Sequence, residues 1–432
     1  MSDAIQKTRH SGKQRIFVFF NIGLAVVTIL AGTGLLYANW KLGNRQVVAI
    51  DTVDNSDGNL NLPEGDRTAK NFLITGSDNN ACISKDSPFY GGFGERSAYG
   101  SRSDSLMVVR VNPIDNQAAI LSFPRDMWVK QAGSTRSNRI NANFNKKDPN
   151  RLIRNLKENF GINIDHYINV DFCAFAAIVD AVGGVRVPFQ YKARDKRTGF
   201  KVLRARVCYT FQGDHALAYM RSRHYFWFDP ATRRWRSDGT SDYGRISRQQ
   251  DFMKRVIRKA LDKARSNPRV ATGIMNAALK NIITDDKLTP LTVLQLGQAM
   301  KNFDTNTMGS YTMPGTGTMI DKAAVILPDL ESSVSKNILA VFQGKASLST
   351  TIKGATTTTL ATTTTTTLAA ITAVATTLPK TASTTAPKTV STTAPKIGTG
   401  KTTTTTTTTV PKVVIDQSTR GIVPPNDPTC QY

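Results

Sequence analysis

The fold of this chain is decided by two β-rich runs, Ser105-Leu106-Met107-Val108-Val109-Arg110-Val111 and Gln117-Ala118-Ala119-Ile120-Leu121-Ser122-Phe123. Between them, Asn112-Pro113-Ile114-Asp115-Asn116 has the composition of a turn, so the two runs predict a β-hairpin. Partners across a hairpin are equidistant from the centre of its turn. Asp104 and Arg125 are therefore expected to meet at the open end of the hairpin, at one edge of a sheet.

Strands and helices alternate around this hairpin. A short apolar strand precedes it, from Asn71 to Gly76, and leads into the turn Gly76-Ser77-Asp78. Later patterns predict a helix from Asp148-Pro149 to Gly161, a strand at His166–Val170, a helix at Phe172–Val182, a strand at Val185–Tyr191, and helices at Asn276–Ile283 and Leu291–Lys301. This alternation is typical of an α/β protein, here an α-β-α layered domain with a central mixed β-sheet over residues 67–344.

Four arginines lie in two short motifs, Ala216-Leu217-Ala218-Tyr219-Met220-Arg221-Ser222-Arg223-His224 and Asp242-Tyr243-Gly244-Arg245-Ile246-Ser247-Arg248-Gln249-Gln250. As a strand, the first motif would place Tyr219, Arg221 and Arg223 on one face. As the start of a helix, the second would place Arg245, Arg248 and Gln249 on one face. Guanidinium groups fit phosphate oxygens, so the two motifs together predict a site for a doubly charged anion.

The ends of the chain have a different composition. Residues 16–38 carry no charge and are long enough to form a transmembrane helix. Basic residues before this helix predict that residues 1–15 are cytoplasmic and that everything after it is exported. We expect a polar linker at residues 39–66 and a disordered Thr/Pro/Lys-rich tail at residues 345–432. The expected location is the cell membrane, crossed once, with an extracellular catalytic domain.

The formal net charge of +24 favours phosphate-rich or membrane partners, and the membrane anchor argues against nucleic acid. The four cysteines lack CxxC spacing, so zinc is not indicated. An exported domain can form disulfides. The polar surroundings of Cys82 and Cys208 favour that pair, with Cys173 as a buried thiol and Cys430 free.

Two carboxylates are expected at the sheet edge that carries Arg125. Asp78 ends the first strand and Asp104 begins the second, so neighbouring strands would bring both acids together. Hard oxygen ligands beside arginines suit Mg²⁺ shared with a pyrophosphate, with Mn²⁺ as the alternative ion. A metal with a cationic clamp is the outline of a phosphoryl-transfer site.

The sequence resembles the LytR-CpsA-Psr family in seven motifs, in the family's order and approximate spacing, over about residues 70–260. The motifs are Asn71-Phe72-Leu73-Ile74-Thr75-Gly76-Ser77-Asp78, Arg102-Ser103-Asp104-Ser105, Phe123-Pro124-Arg125-Asp126, Arg139-Ile140-Asn141-Ala142, Val179-Asp180-Ala181-Val182-Gly183-Gly184-Val185, Ala216 to Arg223, and Asp242 to Gln250. This resemblance implies a Mg²⁺-dependent phosphotransferase. It would move a glycopolymer from polyprenyl pyrophosphate to a hydroxyl of peptidoglycan, with formation of a phosphodiester.

The resemblance also implies roles for individual residues. Asp78 and Asp104 would belong to the metal site, and Asp104, Arg125, Arg245 and Asp242 would be catalytic. The pyrophosphate would be held by the cationic and amide side chains of Arg125, Arg139, Arg221, Arg223, Arg245 and Gln249. Arg139 stands where the family often has lysine, so a forked donor replaces a point charge. Arg248 is expected mainly to hold its helix in place.

Two other functions fit the same motifs. One is a polyprenyl-pyrophosphate pyrophosphatase with water as acceptor, and the other is a non-enzymatic envelope regulator or lipid-carrier binding protein. The motifs specify neither the polymer nor the position of a pocket for the prenyl chain. Tyr225–Ser241 is an insertion rich in aromatic residues, which we interpret as an elaborated surface loop rather than a lid.

Overall fold

The computed structural model describes residues 46–51, 69–78, 82–90, 103–266, 282–300, 302–348, 412–413 and 421–430. The strands in these ranges are β1 Gln46–Val48, β2 Lys70–Ser77, β3 Ser103–Asn112, β4 Gln117–Phe123, β5 Trp128–Lys130, β6 Ser137–Arg139, β7 His166–Asp171, β8 Val185–Phe189, β9 Ala193–Asp195, β10 Phe200–Val202, β11 Val207–Phe211, β12 Phe226–Asp229, β13 Arg234–Ser237, β14 Ile282–Asp285, β15 Gly309–Thr312, β16 Gly315–Ile320, β17 Ala323–Pro328, β18 Ser347–Leu348 and β19 Lys412–Val413. The α-helices are α1 Asn150–Phe160, α2 Phe172–Ala181, α3 Gly213–Met220, α4 Asp242–Ser266, α5 Pro290–Ala299 and α6 Ser333–Phe342.

Seven strands form the central sheet, in the order β1-β14-β7-β2-β3-β4-β15. The sheet is mixed, because β2 is parallel to β7 and antiparallel to β3. The predicted hairpin is confirmed: β3 and β4 pair with Leu106 opposite Phe123. The side chain of Asn112 accepts hydrogen bonds from the backbone N–H groups of Ile114 and Asp115, which fixes the turn.

Alternating side chains of the central strands enter two cores, one on each face of the sheet. Leu73 and Val108 join a core that contains the apolar stripes of α1 and α6. Phe72 and Met107 join the opposite core, against which α4 and α5 pack. The central mixed sheet with helices on both faces therefore agrees with the predicted α/β class.

A second, smaller part of the fold carries the insertion. Strands β10, β9, β12 and β13 form a four-stranded antiparallel sheet, in which Tyr225–Ser241 supplies the β12–β13 hairpin. Strands β8 and β11 pair beside it. Aromatic side chains dominate the core under these strands, including Phe189, Phe200 and Tyr219.

The first arginine motif is a helix and not a strand. Ala216 to Met220 belong to α3, and the chain leaves the helix at Arg221. Ala216 and Ala218 are fully buried in the aromatic core, and Ala and Leu are strong helix formers. The predicted strand is therefore wrong, and Tyr219 lies apart from Arg221 and Arg223. The second motif opens α4, as predicted.

Two helix predictions need correction. The helix predicted from Asp148 has Pro149 at its N-cap position and begins at Asn150, whose N–H donates to Asp148 Oδ1 at 3.1 Å. The helix predicted over residues 276–283 is wrong at Ile282 and Ile283, which are β-branched residues in strand β14. The first part of that segment lies outside the described residues.

The disulfide prediction is also wrong. Cys82 pairs with Cys173, at a Cα–Cα distance of 5.6 Å, and Cys208 pairs with Cys430, at 5.5 Å. The second bond ties the end of the chain to β11. For residues 421–430 the predicted disordered tail is therefore wrong, because Arg255 also donates a hydrogen bond to Pro425 O.

The predicted domain boundaries are too narrow at both ends. Gln46–Val48, placed in the linker by the sequence, pairs with β14 in the central sheet. Ser347–Leu348, placed in the tail, pairs with Lys412–Val413. The predicted membrane helix at residues 16–38 and most of the tail lie outside the described residues. No helix within the described ranges has the length and apolar character that a bilayer crossing requires.

Candidate active site

Three elements bring the predicted acidic and basic residues to one edge of the central sheet. Asp78 follows the last residue of β2, and Ser77 pairs with Ser103, the residue before Asp104. Arg125 follows β4, and its Nη1 lies 2.7 Å from Asp104 Oδ1. The pairing that was predicted from the hairpin geometry is therefore present.

The two arginine motifs complete the cluster from the other side. Arg223 Nη2 lies 3.4 Å from Asp104 Oδ1, and Arg223 Nε lies 3.1 Å from Asp242 Oδ1. Arg245 Nη2 lies 2.8 Å from Asp242 Oδ1 and donates to the backbone carbonyl of Asp104 at 2.8 Å. Arg125, Arg223 and Arg245 thus surround Asp104, with Asp242 between the last two.

Asp104 is ionised at any physiological pH. Burial alone would raise the pKa of its carboxyl, but the nearby guanidinium groups of Arg223, Arg245 and Arg125 oppose this and lower the pKa to about 2. Burial has the opposite effect on Arg245, whose side chain is 3% exposed, and it lowers the pKa of that guanidinium. The cluster therefore holds opposite charges close together, with Arg245 buried and the other members partly exposed.

Several guanidinium donors of this cluster make no well-directed hydrogen bond within the described part of the chain, although carboxylate oxygens lie 3.1–3.4 Å from three of them. Among the described residues, no hydrogen-bond acceptor with suitable geometry reaches the buried Nε atoms of Arg125, Arg223 and Arg245, or Nη2 of Arg223. A buried donor without an acceptor is costly, and one on a charged group is more so. The arrangement is chemically suited to an anion with several oxygen atoms, such as a phosphate.

An apolar cavity opens beside the cluster. Arg221 lines this cavity, and its guanidinium lies over the ring of Phe172, 4.8 Å from the ring centroid. Asp78, Asp104, Arg245 and Gln249 also line it. Its remaining walls are largely apolar, from α2, α3 and α4, with Phe172, Phe175, Leu217, Met220 and Met253. The cavity volume is about 100 Å³, below the roughly 300–1,000 Å³ of pockets that enclose drug-sized ligands.

Gln249 supports the site from α4. Its Nε2 donates to the carbonyl of Met220 at 3.1 Å, and its Oε1 accepts from Ser105 Oγ at 3.3 Å. Both hydrogen bonds join α4 to neighbouring elements of the cavity. Gln250 is also buried, and it donates to Ser122 Oγ, as expected for a side chain that points into the protein.

Arg139 is connected to the cluster through a second acidic residue. Asp126 connects it to the site, because Asp126 Oδ1 is 3.3 Å from Arg139 Nε and Asp126 Oδ2 is 3.4 Å from Arg125 Nε. Arg139 also donates to the carbonyl of Ala324 at 2.8 Å. Asp126 directly follows Arg125 in the quoted motif, but no pattern in the sequence indicates that it bridges Arg125 and Arg139.

The guanidinium of Arg248 is engaged by other parts of the protein. It is fully buried, forms an ion pair with Asp238, and donates to the carbonyl of Ser222 at 2.9 Å. Its guanidinium lies over the ring of Tyr225, 4.4 Å from the centroid. These contacts hold the segment between Arg221 and Arg223 against α4, which agrees with the expected positioning role.

The carboxylates at this site are compatible with Mg²⁺. Groups of three or more His, Cys, Asp or Glu side chains arranged for a metal ion are absent from the described ranges. Asp78 and Asp104 nevertheless lie at the same cavity. One or two carboxylates suffice where substrate phosphates complete the coordination of Mg²⁺. The donor set therefore fits a metal that is shared with a phosphorylated ligand.

The sequence of this chain matches a known protein family. The model of the LytR_cpsA_psr family matches residues 41–340, so the chain belongs to that family. The family prediction made from the seven motifs is thus confirmed.

Several relatives are similar to this chain in sequence. "Polyisoprenyl-teichoic acid--peptidoglycan teichoic acid transferase TagV" from Bacillus subtilis is 27% identical over 317 residues, which is 70% of this chain and 71% of the relative. The similarly named TagU from Bacillus mycoides is 31% identical over 52% of this chain and 67% of its own length. "Biofilm regulatory protein A" from Streptococcus mutans is 28% identical over 64% of this chain and 68% of its own length.

A solved structure supports the fold. The "LytR-Csp2A-Psr enzyme from Actinomyces oris" superposes with a TM-score of 0.50 at 21% sequence identity, covering 69% of this chain and 96% of the other. This likeness concerns the backbone arrangement, a mixed sheet with helices packed on it.

Proposed function

We propose that this chain is a membrane-anchored, Mg²⁺-dependent phosphotransferase. It moves a glycopolymer from polyprenyl pyrophosphate to a hydroxyl of peptidoglycan and forms a phosphodiester. The names of the TagV and TagU relatives support the reaction class and the two substrates. The apolar stretch at residues 16–38 supports anchoring in the cell membrane with the catalytic domain outside.

One observation carries this proposal. The guanidinium groups of partly exposed Arg125 and Arg223 converge with that of buried Arg245. Among the described residues the Nε atom of Arg245 has no acceptor, and Nε of Arg125 and Nε and Nη2 of Arg223 lack an acceptor with hydrogen-bond geometry. A pyrophosphate supplies those acceptors, and each charge-assisted hydrogen bond to it contributes about 1.5–3 kcal/mol. A purely structural cluster would satisfy its buried donors internally.

The apolar cavity beside the cluster suits the first part of a prenyl chain. Its walls are apolar side chains of three helices, and Arg221 stands where the cavity meets the charged cluster. At about 100 Å³ the cavity must widen to admit more of a long lipid. Methionines at 220 and 253 can change rotamer readily, which makes such widening feasible.

The chemistry follows from this placement. The acceptor oxygen attacks the phosphorus that carries the glycan, and the bond from this phosphorus to the bridging oxygen breaks. Polyprenyl phosphate leaves, while the glycan remains joined to the acceptor through a phosphodiester. Arg125, Arg223 and Arg245 stabilise the negative charge that develops on the phosphate oxygens.

Proton transfer and metal binding fall to the carboxylates. Because its pKa is about 2, Asp104 is a poor proton acceptor. Asp242 lies beside the cluster, between Arg223 and Arg245, and is assigned the proton of the attacking hydroxyl by its position. Asp78 and Asp104 would hold Mg²⁺, which supplies positive charge at the phosphate oxygens when it is bound.

Turnover by the full chain in detergent tests the proposal. The donor is a polyprenyl pyrophosphate-linked sugar, the acceptor is a peptidoglycan fragment, and mass spectrometry follows both products. Arg245→Met should lower kcat/KM about 100-fold or more, the usual effect of removing one donor from a preorganised charge-stabilising site. Arg154→Met is the matched control, since Arg154 is half exposed and pairs only with exposed Asp51 among described residues.

Two results would contradict this function. Equal turnover by Arg245→Met and Arg154→Met would show that the arginine cluster is not the site. Release of polyprenyl phosphate without a linked product, at the same rate with and without peptidoglycan, would assign a pyrophosphatase instead.

A further inference from the structure

A second cavity, of about 390 Å³, lies on the outer side of the inserted hairpin. Its lining is basic and aromatic, and we call it the hairpin cleft: Arg194, Asp195, Lys196, Arg197, His224, Phe226 and Trp235. This volume is within the range of ligand pockets in proteins. The site described above does not use any of these residues.

Strand register explains why aromatic rings face this cleft. Phe226 pairs with Arg194, and Phe228 pairs with Trp235, so these side chains lie on one face of the four-stranded sheet. The opposite face carries Trp227, which packs against the aromatic core. The outer face therefore presents ring surfaces, with the guanidinium of Arg194 4.0 Å from the ring centroid of Trp235.

The exposed cations of the cleft, Lys196 and Arg197, are available to a ligand, whereas Arg194 stacks on Trp235. Across the part of the chain that the structure describes, no carboxylate lies within ion-pair distance of Arg194, Lys196 or Arg197. Asp195 is the one acidic residue of the lining. It is fully buried and accepts hydrogen bonds from Arg197 N, Ser222 Oγ and His224 N, at 2.8–3.0 Å. Three cations thus face the cleft, while its carboxylate is engaged by the protein.

The same contacts connect the cleft to the arginine cluster. Asp195 fixes the segment Ser222–His224, in which Arg223 reaches Asp104 and Asp242 while His224 lines the cleft. Two residues earlier, Arg221 lines the apolar cavity. One short segment therefore leads from an apolar cavity, past the anion site, to a basic and aromatic cleft.

That order matches the order of groups in a lipid-linked donor: prenyl chain, pyrophosphate, sugar. We propose that the hairpin cleft binds negatively charged sugar units of the donor glycopolymer, an inference that rests on the proposed function. Cationic side chains pair with phosphate or carboxylate groups of the polymer, and the faces of Phe226 and Trp235 pack on the apolar faces of its sugar rings.

Direct binding to the full chain in detergent tests this proposal. The probes are a hexamer of glycerol phosphate, an oligogalacturonate hexamer, neutral maltohexaose and a disaccharide-peptide of peptidoglycan, each measured by calorimetry at low salt. At least one anionic hexamer should bind, about tenfold or more tighter than maltohexaose. Lys196→Gln with Arg197→Gln should weaken that binding about tenfold, because both cations are exposed and solvent screening limits what each contributes.

The matched control is Lys147→Gln with Arg204→Gln, which removes the same charge from exposed positions outside the cleft. It should change the affinity less than about twofold. Equal weakening by both double variants would reduce the effect to net charge and overturn the proposal. Trp235→Ala, which keeps every cation, should also weaken binding; unchanged binding would remove the role of the aromatic face.

The remaining outcomes separate the sources of the ligand. If the peptidoglycan fragment binds best and loses affinity in Lys196→Gln with Arg197→Gln, the acceptor occupies the cleft and the assignment to the donor is wrong. A lipid pyrophosphate with one neutral sugar tests the proposed function alone. If the unmodified chain turns over this lipid but binds neither anionic hexamer, only the assignment of the cleft is wrong. If the chain does not turn over this lipid, the proposed function is wrong.

Discussion

Replacing Arg248 with methionine should destabilise the folded chain by about 3–5 kcal/mol. Arg248 and Asp238 form an ion pair in which the side chains are 1% and 3% exposed, so the substitution leaves a buried carboxylate without its cation. Breaking a buried pair by removing one partner has an effect of this size. The lost hydrogen bond to Ser222 O and the stacking on Tyr225 act in the same direction.

Methionine is chosen because it keeps most of the volume of the side chain, so that little of the loss comes from a new cavity. Urea unfolding at pH 7, followed by tryptophan fluorescence, measures the free energy of unfolding. Adding Asp238→Asn to Arg248→Met should recover part of the loss, since the second substitution removes the uncompensated charge. Lowering the pH should have a similar effect in the single variant, because protonation of Asp238 neutralises it.

The exposed pair of Arg154 with Asp51 provides the control. Arg154→Met should cost at most about 1 kcal/mol, as exposed ion pairs generally do. The reasoning fails if Arg248→Met costs no more than Arg154→Met. It also fails if the double variant is as unstable as the sum of its single changes, since Arg248 and Asp238 would then act independently.

The pKa of Asp104, lowered to about 2, means that its ionised form stabilises the fold above pH 4 and that this contribution is lost as the pH falls toward 2. Asp104→Asn should therefore lower the free energy of unfolding by about 2 kcal/mol at pH 7 and by about half as much at pH 3; an equal difference at both values would contradict the charge argument. Cys430→Ser should lower it by about 2–5 kcal/mol, because the bond to Cys208 closes a loop of 222 residues. An unchanged thermal melt under oxidising conditions would contradict that pairing.

The sequence predicts the centre of the site better than its surroundings. Equal distance from the turn was enough to place Asp104 beside Arg125, because a hairpin register is determined locally. The helix that carries Arg245 follows equally from local periodicity. By contrast, the short apolar run before Arg221 is compatible with a strand or with a buried helix. Its packing against the aromatic core stabilises the helix, and this packing is not visible in the local sequence.

Partners that are distant in sequence could not be predicted. Four cysteines allow three pairings, and spacing does not choose among them. Asp238 and Asp195 look like ordinary turn residues in the sequence, yet the first neutralises buried Arg248 and the second orients the segment around Arg223. Their roles depend on where the inserted hairpin folds back, which is a property of the tertiary structure.

Charge balance connects the metal site to the anion site. In the proposed complex, the carboxylates of Asp78 and Asp104 balance one divalent cation. Arg125, Arg139, Arg223 and Arg245 carry four positive charges against the two negative charges of Asp126 and Asp242, and Arg221 lies at the adjoining cavity. The two negative charges of a pyrophosphate diester offset this excess of positive charge. In the structure, Asp104 pairs with Arg125 and Arg223. A metal ion bound to Asp104 would draw this carboxylate away from Arg125 and Arg223, and the pyrophosphate of the donor would replace it as their counter-charge. Metal and donor should therefore bind cooperatively.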